Sequence, residues 1–279
     1  MKNSFKNEII FRSNIRSGFP YILTAMMCCL FLQVTPFPAF AEEELIVSAA
    51  ASLTNAMTEI SRAFEMQTPG VNVRCNFAAS GALVQQMSSG APVDVFAPAS
   101  IRDMDRAEAK NLIDIPTKKI FAANELILIV PSESKVPVKT ISDLQEPAFR
   151  KIAVGHPDIV PAGRYAKIFL EKNGLWEAVY DRLVYANSVR EVLDYVRRGE
   201  VDAGFVYATD ARSLNAIDGA ASGNTVRTVL AADSSLNILY PIAVTRGTQH
   251  HPAASRFCEF VTGPDSRRIL AAYGFMEAE

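Results

Sequence analysis

Apolar and polar residues alternate along the chain with two different periods. Short apolar runs such as "LIVSAA" (45–50) and "ELILIVP" (125–131) predict buried strands, whereas segments with apolar residues three or four positions apart predict helices. The first of these helices would bury Leu53, Ala56, Met57, Ile60 and Phe64. Because strands and helices follow one another in turn, the pattern predicts an α/β fold.

The alternation starts again near residue 151 and gives a second set of similar elements. "GAPVDVFAPAS" from Gly90 and "GEVDAGFVYATDA" from Gly199 both place a glycine and a Val-Asp pair before an apolar strand. This match indicates a weak internal similarity between two lobes. If the late strand "LYPIAVTRG" packs with the first lobe, the chain crosses between the lobes near Asn124 and again near Tyr240.

The predicted division of the chain is into a leader and two lobes. One lobe would hold 42–124 plus 236–279 and the other 125–235, with a hinge and a central cleft between them. Residues 1–41 have the basic, apolar and small-x-small order of a secretory signal, so we expect cleavage after Ala41 and a periplasmic protein. The alternative is an uncleaved membrane anchor, since the uncharged stretch is long enough to span a bilayer, although two prolines interrupt it.

The chain that follows the leader is acidic and has no metal-ligand spacing. Removing 1–41 takes away four basic residues and one acidic residue, so 24 basic and 29 acidic residues remain and the formal charge is −5. Such a chain lacks the basic surface of a nucleic-acid-binding protein. Cys75 and Cys258 lie in apolar segments, so we expect free thiols, with a disulfide as the alternative that export allows. We expect no cofactor and no site for a metal cation.

Small or hydroxyl-bearing residues form four turns at strand-to-helix junctions. These turns are Ala51-Ser52, Ala79-Ser80-Gly81, Pro161-Ala162-Gly163 and Asn187-Ser188-Val189. Since the first N–H groups of a helix have no partner within it, each turn is either an ordinary N-cap or part of an anion site. Open α/β sheets bind ligands at the carboxyl ends of their strands, so four such turns together favour an anion site.

Five motifs occur in order along the chain after the leader: "AAASLTNAM", "FAASGALVQQ", "VPAGRYAK", "NSVREVL" and "GFVYATDA". In these motifs the chain resembles the periplasmic molybdate-binding proteins of molybdate ABC transporters. The resemblance implies a two-lobed periplasmic-binding-protein fold that holds a tetrahedral oxyanion without any charged side chain. It also implies molybdate or tungstate as the ligand and a membrane permease as the partner, and we expect a monomer.

The resemblance implies five ligand residues. They are Ser52 and Ser80 through hydroxyl and backbone N–H groups, Ala162 and Val189 through backbone N–H groups, and Tyr207 through its hydroxyl. Without the resemblance, a tyrosine at a strand end is more often half-buried packing. Because none of the five is a carboxylate, a protonated oxyanion such as hydrogen phosphate would find no acceptor for its proton.

The sequence is also compatible with other functions. A binding protein for sulfate, thiosulfate or an organic anion would use the same kind of cleft, and an organic carboxylate would call for an arginine clamp. Arg164 and Arg190 lie just after two of the implied ligands, and we interpret both as solvent-exposed helix positions. A hydrolase that used Ser52 or Ser80 would need a nearby base, and no histidine stands in a recognisable motif. A sensor or structural module without transport is a further alternative.

Overall fold

The apolar runs of the sequence form the strands of two sheets. The computed structural model describes residues 43–218, 225–232 and 234–278, so the leader predicted at 1–41 lies outside the described residues. The strands are β1 Glu43–Ala50, β2 Val71–Ala78, β3 Val95–Ala97, β4 Lys119–Asn124, β5 Leu126–Pro131, β6 Ile152–Gly155, β7 Leu183–Ala186, β8 Ala203–Tyr207, β9 Val226–Ala231 and β10 Ile238–Val244.

Helices connect most of these strands. They are α1 Thr54–Gln67, α2 Ser80–Ser88, α3 Ile101–Ala109, α4 Pro161–Lys172, α5 Trp176–Val179, α6 Val189–Arg197, α7 Ala208–Asp218, α8 His251–Val261 and α9 Pro264–Ala272. Short 3-10 turns lie at Ala51–Leu53, Ile115–Thr117, Ile141–Gln145, Tyr180–Arg182 and Ser234–Leu236. In the part of the chain that is described, no helix combines the length and the apolar character needed to cross a membrane.

Each sheet has five strands in the described residues, and the two sheets share one plan. The strand order is β2-β1-β3-β10-β4 in the first sheet, here called lobe 1 with its helices, and β7-β6-β8-β5-β9 in the second, here called lobe 2. In each lobe three neighbouring strands run parallel, and β10 or β5 runs antiparallel beside them. The carboxyl ends of β1, β2 and β3 therefore meet at one edge of lobe 1, and those of β6, β7 and β8 at one edge of lobe 2. The α/β class predicted from the sequence is confirmed.

The chain passes between the sheets over short segments. β4 ends at Asn124 in lobe 1 and β5 begins at Leu126 in lobe 2, so one residue separates strands of different sheets. The return runs from the end of β9 in lobe 2 to the start of β10 in lobe 1. The ring of Phe64 on α1 packs edge-on against Phe257 on α8 with ring centroids 5.1 Å apart, which fixes the last helices on lobe 1.

The repeated Val-Asp pair has the same structural role in both lobes. Asp94 accepts a hydrogen bond at 2.7 Å from the backbone N–H of Ile46 in β1. Asp202 accepts hydrogen bonds at 2.8 and 2.9 Å from the backbone N–H groups of Arg150 and Lys151, just before β6. Each carboxylate holds the strand that leads into a turn of the predicted site. The internal similarity predicted from the motif is therefore present in three dimensions.

Candidate functional site

The implied ligand residues come together around one cavity between the lobes. Ser52 follows β1, Ser80 follows β2, Ala162 follows β6, Val189 follows β7, and Tyr207 is the last residue of β8. All five are buried and line the same small cavity. The other lining residues are Ala50, Ala51, Ala78, Ala79, Ala99, Val160 and Pro161. No charged side chain is among those that line it, and the small residues let the backbone of both lobes approach its centre.

The hydroxyl of Ser80 is held by its own lobe. Its Oγ accepts a hydrogen bond at 3.0 Å from the backbone N–H of Ala99, just beyond β3. A backbone N–H only donates, so the Ser80 hydroxyl keeps its own proton for another acceptor. Since Ser80 is fully buried and lines the cavity, that proton is available to a bound anion.

The hydroxyl of Ser52 is held through a longer chain of contacts. Ser52 lies in the 3-10 turn between β1 and α1, and its Oγ lies 3.0 Å from the Tyr240 hydroxyl on β10. The Tyr240 hydroxyl in turn accepts a hydrogen bond at 3.1 Å from the side-chain amide of Asn124 at the end of β4. Both partners are buried. Ser52 is thus linked to the point where the chain leaves lobe 1.

The hydroxyl of Tyr207 has no hydrogen-bond partner among the described residues. The side chain is only 1 % exposed, so it is not the half-buried packing residue that its strand-end position alone would favour. An unsatisfied hydroxyl in a buried place costs about 1–3 kcal/mol, so a bound molecule that accepted its proton would remove that cost. Burial, the largest effect, raises the pKa of Tyr207 well above its usual range, so the phenol stays protonated and can donate.

Two helix starts in lobe 2 contribute residues to the lining of the cavity. α4 begins with Pro161 and brings the N–H of Ala162 into its first turn, and α6 begins with Val189. The Ser188 hydroxyl caps α6 by accepting from the N–H of Glu191 at 3.1 Å. The Glu191 carboxylate accepts from the N–H of Asn187, the residue before the cap, at 2.6 Å. The helix dipoles add favourable potential for an anion at these starts.

Two glycines in the turns are explained by close approach of backbone. A Cβ on Gly163 would lie 1.7 Å from the carbonyl oxygen of Gly155, because the start of α4 packs directly on the end of β6. A Cβ on Gly81 would lie 2.8 Å from the Cα of Ile159 in the other lobe. The N–H of Gly81 also donates to the carbonyl of Ile159 at 2.9 Å. Gly163 therefore serves the packing of lobe 2, and Gly81 serves the contact between the lobes.

Comparison with known proteins shows the family of the chain. Residues 45–276 match the family described as bacterial extracellular solute-binding protein. The chain belongs to this family. It is 36 % identical over 242 residues to the molybdate-binding protein ModA of Escherichia coli, and the aligned region covers 85 % of this chain and 91 % of the relative. It is 34 % identical over 257 residues to ModA of Haemophilus influenzae, and the aligned region covers 91 % of this chain and 98 % of the relative.

A solved structure supports the fold of this solute-binding protein. The periplasmic molybdate-binding protein of Azotobacter vinelandii matches 84 % of this chain and 100 % of its own, with a TM-score of 0.72 at 22 % identity. The two-lobed fold and the family resemblance predicted from the motifs are thus confirmed. The family is one of solute-binding proteins and not of enzymes, which disfavours the hydrolase alternative.

The prediction that both arginines beside the site are solvent-exposed is wrong, because Arg164 is buried and Arg190 is half-buried. Arg164 is 7 % exposed and lies 2.6 Å from the fully buried Asp103 of lobe 1. Arg190 is half-buried, and its Nε lies 2.7 Å from the buried Asp210. Burial raises the pKa of Asp210, and the charge of Arg190 opposes that rise. Neither arginine lines the cavity, because each is drawn to a carboxylate distant in sequence.

Several residues that shape the site carry no ligand motif in the sequence. Tyr240 and Asn124 stand out only as the expected crossing points between lobes, and Ala99 only as part of a strand. Asp103 lies in the first turn of α3, where its N–H donates to the hydroxyl of the N-cap residue Ser100 at 3.2 Å. No local pattern marks the other three, because their partners lie 19 to 188 positions away along the chain.

The cysteines and the acidic residues add no further chemistry to the site. Cys75 and Cys258 are both free thiols, and burial raises the pKa of Cys258 to about 12. Within the residues that the structure describes, no group of three or more His, Cys, Asp or Glu side chains is arranged to hold a metal ion.

Proposed function

We propose that this solute-binding protein captures molybdate, and tungstate with it, in the cleft between its lobes and delivers it to the permease of an ABC transporter. The observation that carries the proposal is the buried, unpartnered hydroxyl of Tyr207 at a cavity lined only by uncharged residues. The molybdate binding named for the ModA relatives supports the same ligand here.

The proposed donor shell is able to hold a dianion without a cation. Moving such an ion from water into an apolar environment costs free energy, so the hydrogen bonds of the site must supply a comparable stabilisation. Ser52 and Ser80 would each give a hydroxyl and a backbone N–H, Ala162 and Val189 a backbone N–H, and Tyr207 its phenol. About seven hydrogen bonds to a charged acceptor, each of about 1.5–3 kcal/mol net, give on the order of 10–20 kcal/mol. The helix starts would add about 0.3–2 kcal/mol each.

The same shell would select among oxyanions by protonation and by size. Hydrogen phosphate carries a proton that needs an acceptor, and an unmatched buried group costs about 1–3 kcal/mol. Molybdate, tungstate and sulfate are fully ionised near neutral pH, so all three offer only acceptor oxygens to the donor shell. Mo–O and W–O bonds are longer than S–O bonds, so the size of the closed cavity decides between them.

In the proposed cycle the two lobes open to admit the anion and close around it. The protein, exported to the periplasm and freed of residues 1–41, acts as a monomer with lobes at 42–124 plus 236–279 and at 125–235. The open cleft receives the anion on the helix starts of one lobe, and the other lobe closes to complete the donor shell. The closed form then docks on the membrane permease.

Isothermal titration of the purified protein with molybdate, tungstate, sulfate, thiosulfate and hydrogen phosphate at pH 7.5 tests the proposal. We expect molybdate and tungstate to bind at least about a hundredfold more tightly than sulfate, a difference of about 2.7 kcal/mol. Hydrogen phosphate should give no heat. Tight sulfate or thiosulfate binding without a molybdate response would assign the protein to the alternative oxyanion. Molybdenum uptake at low molybdate in a gene deletion separates transport from a sensor role.

A further inference from the structure

The hydrogen bonds behind Ser52 have a direction that can be worked out from one backbone group. Asn124 Oδ1 accepts a hydrogen bond at 2.9 Å from the backbone N–H of Glu125. Since that N–H can only donate, the amide oxygen must face it, and the amide nitrogen must face the opposite side. The orientation of the Asn124 amide is therefore fixed by the backbone at the crossing from lobe 1 to lobe 2.

Both protons of that amide are used, and one of them sets the role of Tyr240. Asn124 Nδ2 donates to Oγ1 of Thr209 on α7 at 2.8 Å and to Oη of Tyr240 at 3.1 Å. The Tyr240 oxygen thus accepts from the amide and must direct its own proton elsewhere. The hydroxyl of Ser52, 3.0 Å away, is the acceptor in reach. Burial raises the pKa of Tyr240 far above its usual range, so this proton stays in place.

We propose, resting on the proposed function, that Asn124 and Tyr240 are positioning residues that hold the Ser52 hydroxyl as a donor to the bound oxyanion. Because Ser52 Oγ accepts from Tyr240, its own proton is directed to the cavity that Ser52 lines. The relay runs from Asn124 through Tyr240 to Ser52, and it leaves the Ser52 proton free for the ligand, because that proton is not used to donate to Tyr240. A fully ionised anion offers an acceptor for that proton.

The two lobe 1 serines reach the same state by different routes. Ser80 Oγ accepts directly from the backbone N–H of Ala99, whereas Ser52 accepts through two side chains that begin at a backbone N–H. The second route is anchored on both lobes, because Thr209 lies on α7 of lobe 2 and Tyr240 lies in lobe 1. Tyr240 is also fixed by its ring, which packs edge-on against Phe121, Tyr207 and Phe275.

A double-mutant cycle between Tyr240→Phe and Ser52→Ala tests the relay by calorimetric titration with molybdate. Tyr240→Phe keeps the ring packing and removes one oxygen, and we expect it to weaken binding about tenfold in the wild-type background. A residue that acts only through Ser52 has no effect once the serine oxygen is gone. In the Ser52→Ala background we therefore expect Tyr240→Phe to change the affinity by less than about twofold. An equal loss in both backgrounds would overturn the proposal, as would unchanged binding in Tyr240→Phe.

Tyr273→Phe serves as the matched control. It removes a phenol hydroxyl that donates to Glu59 at 2.8 Å on the surface and does not line the cavity, so binding should be unchanged. A loss as large as that of Tyr240→Phe would count against the relay, because it would show a general response to loss of a tyrosine hydroxyl. Thermal unfolding of each variant without ligand shows that the compared chains are folded.

Asn124→Asp gives a second, independent test at pH 8.5. The new carboxylate would accept the Tyr240 proton, so Tyr240 would accept from Ser52 and the serine would turn a lone pair to the cavity. We expect about a thirtyfold loss of molybdate affinity, against about threefold in the Tyr240→Phe background, where only the added charge acts. Equal losses would overturn the relay.

The wild-type titration separates this proposal from the proposed function. If the protein binds sulfate in place of molybdate, the proposed ligand is wrong, and the same cycles with sulfate still decide the relay. If no oxyanion binds, both proposals fall.

Discussion

The two lobes offer the proposed ligand hydroxyl groups in different states. In lobe 1 the oxygens of Ser52 and Ser80 are both engaged by neighbouring groups at 3.0 Å, so their orientation is set in the unliganded protein. In lobe 2 the hydroxyl of Tyr207 is buried without a partner. The comparison teaches that donors can be prepared in two ways. In the first way, a hydrogen bond from a neighbouring group orients the donor, as in the two serines. In the second, the donor is buried without a partner, and a bound ligand removes the free-energy cost of that unsatisfied group.

Charge is also distributed differently around the two halves of the site. Lobe 2 carries both arginines, one paired across the cleft with Asp103 and one within the lobe with Asp210. The Asp210 carboxylate also accepts from the backbone N–H of Tyr207 at 3.3 Å, which ties that pair to the end of β8. Since each guanidinium is matched by a carboxylate, the cavity stays neutral. The pair across the cleft specifies the closed geometry more than it stabilises it, because desolvation offsets much of the attraction between buried charges.

The largest effect is expected inside lobe 2, at the contact between α4 and β6. Gly163→Ala would place a Cβ 1.7 Å from the carbonyl oxygen of Gly155, and neither backbone segment has room to yield. We expect the free energy of unfolding to fall by about 3 kcal/mol or more, measured by urea denaturation. Gly247→Ala is the control, because a Cβ there meets no atom within 4 Å. A Gly163→Ala variant as stable as the control would refute the close packing.

The difference between the hydroxyls of the two lobes predicts opposite effects on stability. Ser80→Ala leaves the Ala99 N–H without its acceptor, so we expect about 1–3 kcal/mol less stability as well as weaker molybdate binding. Tyr207→Phe removes an oxygen that has no partner, so the unliganded protein should be equally or more stable. Its molybdate binding should still weaken by about 1–3 kcal/mol.

Chemical denaturation without ligand and calorimetric titration measure these two quantities separately. If Tyr207→Phe lowered the stability of the unliganded protein as much as Ser80→Ala does, the contrast between the lobes would be wrong. If Tyr207→Phe bound molybdate like the wild type, Tyr207 would not be a ligand.

The sequence predicts the turns of the site better than the contacts behind them. A turn of small residues between an apolar strand and an amphipathic helix is a local pattern, and all four such turns occur at the cavity. The sequence does not predict β4 and β9, because both are partly exposed and lack a clean apolar alternation. It also misses the pairing of Arg164 with Asp103, since these residues lie 61 positions apart and only the closed fold brings them together.

The smallest effect is expected at the contact between the lobes, where Gly81 meets Ile159. Gly81→Ala would place a Cβ 2.8 Å from the Cα of Ile159, so the lobes must stay slightly apart. Within α2 alanine is favoured over glycine by up to about 1 kcal/mol, so the unliganded protein should be no less stable. We expect molybdate affinity to fall about tenfold, or 1.4 kcal/mol, because closure is what the substitution opposes. Small-angle X-ray scattering with saturating molybdate should show a larger radius of gyration than the wild type has. An unchanged affinity with an unchanged radius would mean that the lobes close fully despite the added Cβ, and that the contact between Gly81 and Ile159 does not limit closure.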